Sequence, residues 1–105
     1  MKTKIQKMAN YDDPIVEMIR RRRAQMLIHS CLYYELNESI ISDHQWQAWA
    51  DELAELQREH PDKCVIGFYD EEFKDWDGSS GYHLPLRDPW VFGKAQQISA
   101  LGTTK

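Results

Sequence analysis

From Ile15 to Leu36 the chain contains no glycine or proline, and apolar residues recur at helical spacing: Ile15, Ile19, Met26, Leu27, Cys31 and Tyr34. The spacing predicts one long helix. Asp13 stands where an N-cap belongs, and Pro14 suits a first helical turn, in which a missing N–H costs nothing. Asn37-Glu38-Ser39 breaks the pattern. A second helix then opens on a capping box, Ser42 with Gln45, and places Asp43 in the first turn, where the helix dipole favours negative charge. Trp46, Trp49, Ala50, Leu53 and Leu56 form one apolar stripe, with Gln47, Asp51, Glu55 and Arg58 on the solvent side. His60-Pro61-Asp62 ends the helix, because a residue before proline is pushed out of helical geometry. Two helices with so short a connection pack most simply as an antiparallel hairpin.

After Lys63 the pattern changes. Cys64-Val65-Ile66-Gly67-Phe68-Tyr69 is β-prone and predicts a short strand. Residues 70–77 are acidic and aromatic, Gly78-Ser79-Ser80-Gly81 is a flexible turn, and His83-Leu84-Pro85-Leu86 reads as extended. Asp88-Pro89 looks like the cap and first residue of a third helix carrying Trp90, Val91, Ala95, Ile98 and Leu101. The expected fold is therefore mainly α: an antiparallel helical hairpin, a C-terminal irregular or short-strand segment, and a third helix. The expected divisions are a polar leader (1–13), the hairpin (14–62), a mixed segment with the third helix packed on the hairpin (63–101), and a tail (102–105).

Composition adds bounds. A chain of 105 residues, 42% hydrophobic and 29% charged, has the balance of one soluble globular domain. A net charge of −4 argues against indiscriminate binding to a phosphate backbone. Cys31 and Cys64 make no disulfide framework, which suits a reducing compartment. No apolar run approaches the ~20 residues that span a bilayer. A cytoplasmic location without a membrane partner is expected.

Several clusters invite a chemical reading. Arg20-Arg21-Arg22-Arg23 can contact nucleic acid or an acidic partner, but four consecutive helical residues turn through about 300°, so solvated surface is the plainer reading. His29, Cys31, His60 and Cys64 supply donor types for zinc, but His29 and Cys31 diverge too far on a helix to share the ion, and a buried thiol with ordinary histidines is the plainer reading. Glu71, Glu72, Asp75 and Asp77 read as a solvated acidic loop, with a divalent cation as the alternative. Tyr33 and Tyr34 close the first helix while Asp43 and Trp46 open the second, so the joint brings aromatic faces beside a carboxylate.

This joint resembles the small N-terminal helical subdomain of NAD-dependent bacterial DNA ligases, which grips the nicotinamide mononucleotide half of NAD. The resemblance rests on Tyr33-Tyr34 at the end of the first helix, Ile41-Ser42-Asp43 leading into the second, Glu52-Leu53 within it, and His60-Pro61 at its close. It covers roughly 40 residues. By resemblance, the ligand-binding positions are Tyr33, Tyr34, Asp43, Trp46 and Gln47. Trp46 replaces a tyrosine and keeps a stacking face; Gln47 replaces an aspartate and loses a charge-assisted hydrogen bond. The ligase nucleophile motif, Lys-x-Asp-Gly, is absent: Lys74-Asp75-Trp76-Asp77-Gly78 carries one residue too many. With its later Phe73, Trp76-Asp77-Gly78 and Gly81-Tyr82-His83-Leu84-Pro85, the chain as a whole looks like small bacteriophage proteins labelled DNA ligase-like, which implies the host cell cytoplasm. The function this implies is a non-catalytic accessory protein that binds a host or phage protein and modulates a host enzyme. The alternatives are a binder of nicotinamide mononucleotide, NAD or a related nucleotide, and a DNA-associated accessory factor.

Overall fold

The computed structural model describes residues 13–103. Among the described residues there are three α-helices, α1 (Pro14–Tyr34), α2 (Asp43–Glu59) and α3 (Pro89–Thr103), with a single 3-10 turn at Pro61–Lys63. Each helix begins where a side chain takes up a free N–H. The Asp13 carboxylate accepts from the Ile15 N–H at 2.8 Å, Ser42 Oγ from the Gln45 N–H at 3.0 Å, and Asp88 Oδ1 from the Trp90 N–H at 3.1 Å. Helix α1 ends because Asn37 adopts a left-handed conformation (φ 55°), which folds the Glu38 N–H back onto the Leu32 carbonyl at 2.8 Å. Apart from Asp13, the expected polar leader lies outside the described residues, as do the last two residues of the expected tail. Gly102 and Thr103 belong to α3.

Helices α1 and α2 run antiparallel. Contacts climb α1 while descending α2: Arg23 meets Gln57, His29 meets Trp49, and Ser30 meets Trp46. Helix α1 also packs on α3, whereas α2 and α3 share no extended contact. Residues 64–88 run between those two and complete the core. The Trp76 indole N–H donates to the Ala50 carbonyl in α2 at 3.0 Å, and the Phe68 and Tyr69 rings lie against Trp90 in α3. Ile66, Phe73, Trp76, Leu84 and Leu86 are buried with Val16, Ile19, Met26, Leu27, Leu53 and Val91. No described helix is long and apolar enough to cross a membrane.

The expected strand at Cys64–Tyr69 does not form, and the described residues contain no strand; the fold is an all-α bundle of three helices. The backbone turns at Gly67 (φ 77°) and at Tyr69 (φ 55°). The groups a β-ladder would need are already bonded to side chains. The Ile66 and Gly67 N–H groups donate to the Asp70 carboxylate (3.1 and 2.9 Å), and the Cys64 and Phe68 carbonyls accept from the Arg23 guanidinium (2.9 and 2.8 Å). The stretch expected to be extended near Pro85 is likewise a series of tight turns, closed by Leu84 N–H to Gly81, Leu86 N–H to Leu84 and Asp88 N–H to Pro85.

Arg23 is the largest fully buried side chain, only 1% exposed. All three of its guanidinium nitrogens donate, in four hydrogen bonds of 2.7 to 2.9 Å to the Gln57 amide oxygen, two loop carbonyls and the Asp70 carboxylate. Burial raises the Asp70 pKa, but hydrogen bonds from Gly67 N–H, Arg23 and Ile66 N–H outweigh it and hold the carboxyl below its ordinary value. Replacing Arg23 with Met leaves these acceptors unpaired and is expected to cost about 3–5 kcal/mol in urea unfolding. Arg23→Lys is expected to recover only part, because an ammonium lacks the planar fork. A carboxyl depressed in the folded state contributes stability above its unfolded pKa of about 3.9 and loses it as pH falls through the lower folded value. Asp70→Asn should therefore flatten the acid limb of the stability curve below about pH 4, as followed by circular dichroism.

Candidate functional site

A half-open cavity of about 260 Å³ lies at the joint between α1 and α2. One wall is the last two turns of α1, with His29, Ser30, Tyr33 and Tyr34. The facing wall is the connection and the first turn of α2, from Glu38 to Asp43 with Trp46 and Gln47; Ser79 and Ser80 close one side. All five positions expected to bind ligand, Tyr33, Tyr34, Asp43, Trp46 and Gln47, thus line a single cavity.

Their immediate partners decide what each can offer. The Trp46 indole N–H donates to Ser30 Oγ at 3.2 Å, which fixes the ring as a wall and leaves its face as the contact surface. The Gln47 amide donates to Asp51 Oδ1 and to the Gly78 carbonyl, both at 2.9 Å. A carboxylate cannot donate to that carbonyl, so the amide ties the 78–81 turn to α2, and its own carbonyl oxygen is what remains for a ligand. Tyr33 and Tyr34 meet edge to face (4.9 Å between centroids), and Tyr34 meets Tyr82 in the same way at 5.3 Å. Tyr33, Tyr34 and Tyr82 are all exposed, Tyr82 by 72%. Asp43 is an exposed carboxylate in the first turn of α2.

His29 was not among the expected site residues. Its Nδ1 is buried without a hydrogen-bond partner, and its ring lies 5.6 Å from Trp49. Burial lowers its pKa, so the ring is held neutral at neutral pH. Glu38, Ser79 and Ser80 were also missed. Their only signal in the sequence is membership of the two turns that happen to meet here.

The four consecutive arginines go to four different places. Arg20 lies over the Phe68 ring at 4.4 Å; Arg21 pairs with Glu17 at 3.1 Å on the surface. Arg22 reaches Glu52 at 3.0 Å and lies over Trp49, while Arg23 is buried. None lines the cavity. Lys74 sits in an outer cleft beside Asp51, Asp75 and Asp77 and is likewise away from the cavity. Asp77 accepts from the Ser79 hydroxyl (2.7 Å) and backbone N–H (2.9 Å), bonds that hold its carboxyl below the usual range. Cys31 and Cys64 are free thiols whose pKa values burial pushes up. Among the described residues, no group of three His, Cys, Asp or Glu side chains is arranged to hold a metal ion.

No family model, curated protein or solved structure matches the chain.

Two glycines set the cavity's third side. Gly78 adopts φ 80°, and a Cβ there would lie 3.1 Å from the Ala50 carbonyl oxygen. At Gly81 a Cβ would stand 2.3 Å from Ser30 Oγ and 3.1 Å from the Trp46 ring. Gly81→Ala is therefore expected to destabilise the chain by about 1–3 kcal/mol and to shift Trp46 fluorescence. Adding Ser30→Ala removes the nearer clash and should recover part of the loss, read as the midpoint of thermal unfolding.

Proposed function

We propose that the chain is a recognition module whose joint cavity holds a nicotinamide-bearing nucleotide, nicotinamide mononucleotide or the corresponding half of NAD. The observation that supports this most strongly is the convergence of Tyr33, Tyr34, Asp43, Trp46 and Gln47 on one cavity. These are the positions that the resemblance to the ligase subdomain assigns to that ligand. The chemistry is suited to it. Exposed tyrosine rings and a fixed indole suit a flat ring, while the Asp43 carboxylate and the Gln47 carbonyl oxygen accept from an amide or a sugar hydroxyl. Volume sets the extent of the contact. At about 260 Å³, the cavity is just below the roughly 300–1,000 Å³ of sites that enclose a drug-sized ligand, so it holds a ring and part of a sugar while the rest stays outside.

A second reading, docking of a protein such as the expected host enzyme, is favoured by the exposed rim of Tyr33, Ile40 and Tyr82 around the same cavity. The two readings share a surface, so a seated protein and a nucleotide would compete.

Titration calorimetry with nicotinamide mononucleotide tests the first reading, with quenching of tryptophan emission as the local signal. Asp43→Ala should weaken binding by about tenfold to a hundredfold, the worth of a hydrogen bond to a charged group. Tyr34→Ala should weaken it by a similar factor through loss of a stacking face. Absence of heat and quenching at millimolar nucleotide would rule out the reading.

A further inference from the structure

Among the described residues, every lysine and arginine except Arg20 and Lys94 pairs with an acidic side chain. These two converge instead on one aromatic cluster. The Arg20 guanidinium lies over the Phe68 ring at 4.4 Å, and the Lys94 ammonium over the Trp90 ring at 5.9 Å. The two rings meet edge to face, with centroids 5.3 Å apart. We infer that this cluster is a binding surface for single-stranded nucleic acid, with Arg20 and Lys94 on phosphates and Trp90 against a base. Arg20 stands roughly 20 Å along α1 from Tyr34, so the surface is separate from the joint cavity and owes nothing to what that cavity holds.

Three parts of the chain build the surface: Arg20 comes from α1, Lys94 and Trp90 from α3, and Phe68 from the loop between α2 and α3. Its rings are held in place. Tyr69 meets Phe68 at 4.9 Å and Trp90 at 6.3 Å, and its hydroxyl donates to Asp88 Oδ1 at 2.9 Å. The same oxygen accepts the Trp90 N–H at the start of α3. A cation over a ring keeps its charge and its donors, whereas one paired with a carboxylate has committed both. Arg20 therefore presents a planar fork and Lys94 three rotatable donors, the groups that bind phosphate oxygens. Trp90 is 38% exposed, so part of a large π-system is open to solvent beside them. Cations for the backbone and an indole for a base are the two elements that hold a single strand without reading its sequence. An acidic peptide would engage the cations and leave the indole unused. A duplex keeps its bases stacked inside and offers phosphates alone, and a net charge of −4 opposes it with no stacking contact to compensate.

The test is fluorescence anisotropy of a labelled oligothymidylate of about ten nucleotides, titrated with the full chain at low salt while tryptophan emission is followed. Binding with quenching is expected. The logarithm of the affinity should fall against that of salt concentration with a slope of about −1.4, the value for two phosphates of a single strand. Arg20→Gln and Lys94→Gln should each weaken binding about threefold to tenfold and bring the slope to about −0.7. Arg21→Gln removes the same charge from a residue already paired with Glu17, and should leave the affinity within about twofold. Trp90→Leu should weaken binding about fivefold to a hundredfold, the worth of one stacked base. Should that variant fail to fold, the substitutions at Arg20 and Lys94, both exposed, decide the matter with Arg21→Gln as their control. Absence of binding at low salt, or equal losses from Arg20→Gln and Arg21→Gln, would overturn the inference. So would a duplex that binds as tightly as the single strand, or an oligoglutamate that displaces the strand at equal concentration, the mark of an acidic protein partner.

Discussion

The structure depends on one buried cation. Arg23 sits on the core line of α1, at helical spacing between Ile19 and Met26, and the loop after α2 is wrapped around its guanidinium. A charge in this position is tolerable because each guanidinium nitrogen finds an acceptor among one carboxylate, one amide oxygen and two backbone carbonyls. The matching is what shapes the chain. It fixes the spacing of α1 and α2 through Gln57 and pins residues 64–70 through Cys64, Phe68 and Asp70. It also removes the carbonyls that a strand would have used. The same Gln57 donates to the Phe73 carbonyl at 2.8 Å and so continues the network into the middle of the loop.

That network has a consequence for the site. With the start of the 64–88 segment anchored at one end of the hairpin, the rest returns to the other end. Trp76 anchors it on Ala50, Gln47 holds Gly78, and Gly81 closes against Ser30. The cavity at the joint is thus not made by two helices alone. Its third side comes from a loop tied to α1 and α2 by side-chain hydrogen bonds to the Cys64, Phe68, Phe73 and Gly78 carbonyls. Gln47 illustrates the exchange: its amide serves the scaffold by donating to a carbonyl, and the acceptor it retains faces a weaker role toward a ligand than a carboxylate would have.

Helices and caps were legible from sequence because their determinants are local. Asp13, Ser42 and Asp88 act within three residues of themselves, and the α2 stripe is a periodicity any reader can count. That Tyr33, Tyr34, Asp43, Trp46 and Gln47 meet at one joint was legible because they stand at facing helix ends. Cys64–Tyr69 misled because β-propensity measures fit to a pleated, half-buried surface, and here no neighbouring strand supplies one. Arg23 misled because it belongs to a run of four arginines, which reads as surface. The one clue was the gap it fills in the apolar line of α1. His29 and Glu38 carried no signal, since their importance comes from what stands opposite.

By itself, the sequence determined three helices, their boundaries to within a residue or two, the hairpin, and the residues gathered at its joint. Hydrogen bonds within a turn and a period of 3.6 residues are enough for that. Only the tertiary structure decided which arginine is buried, where the loop runs and what charge the cavity presents. Those depend on partners 34 to 47 residues away, and no local pattern encodes which of several arginines will meet them.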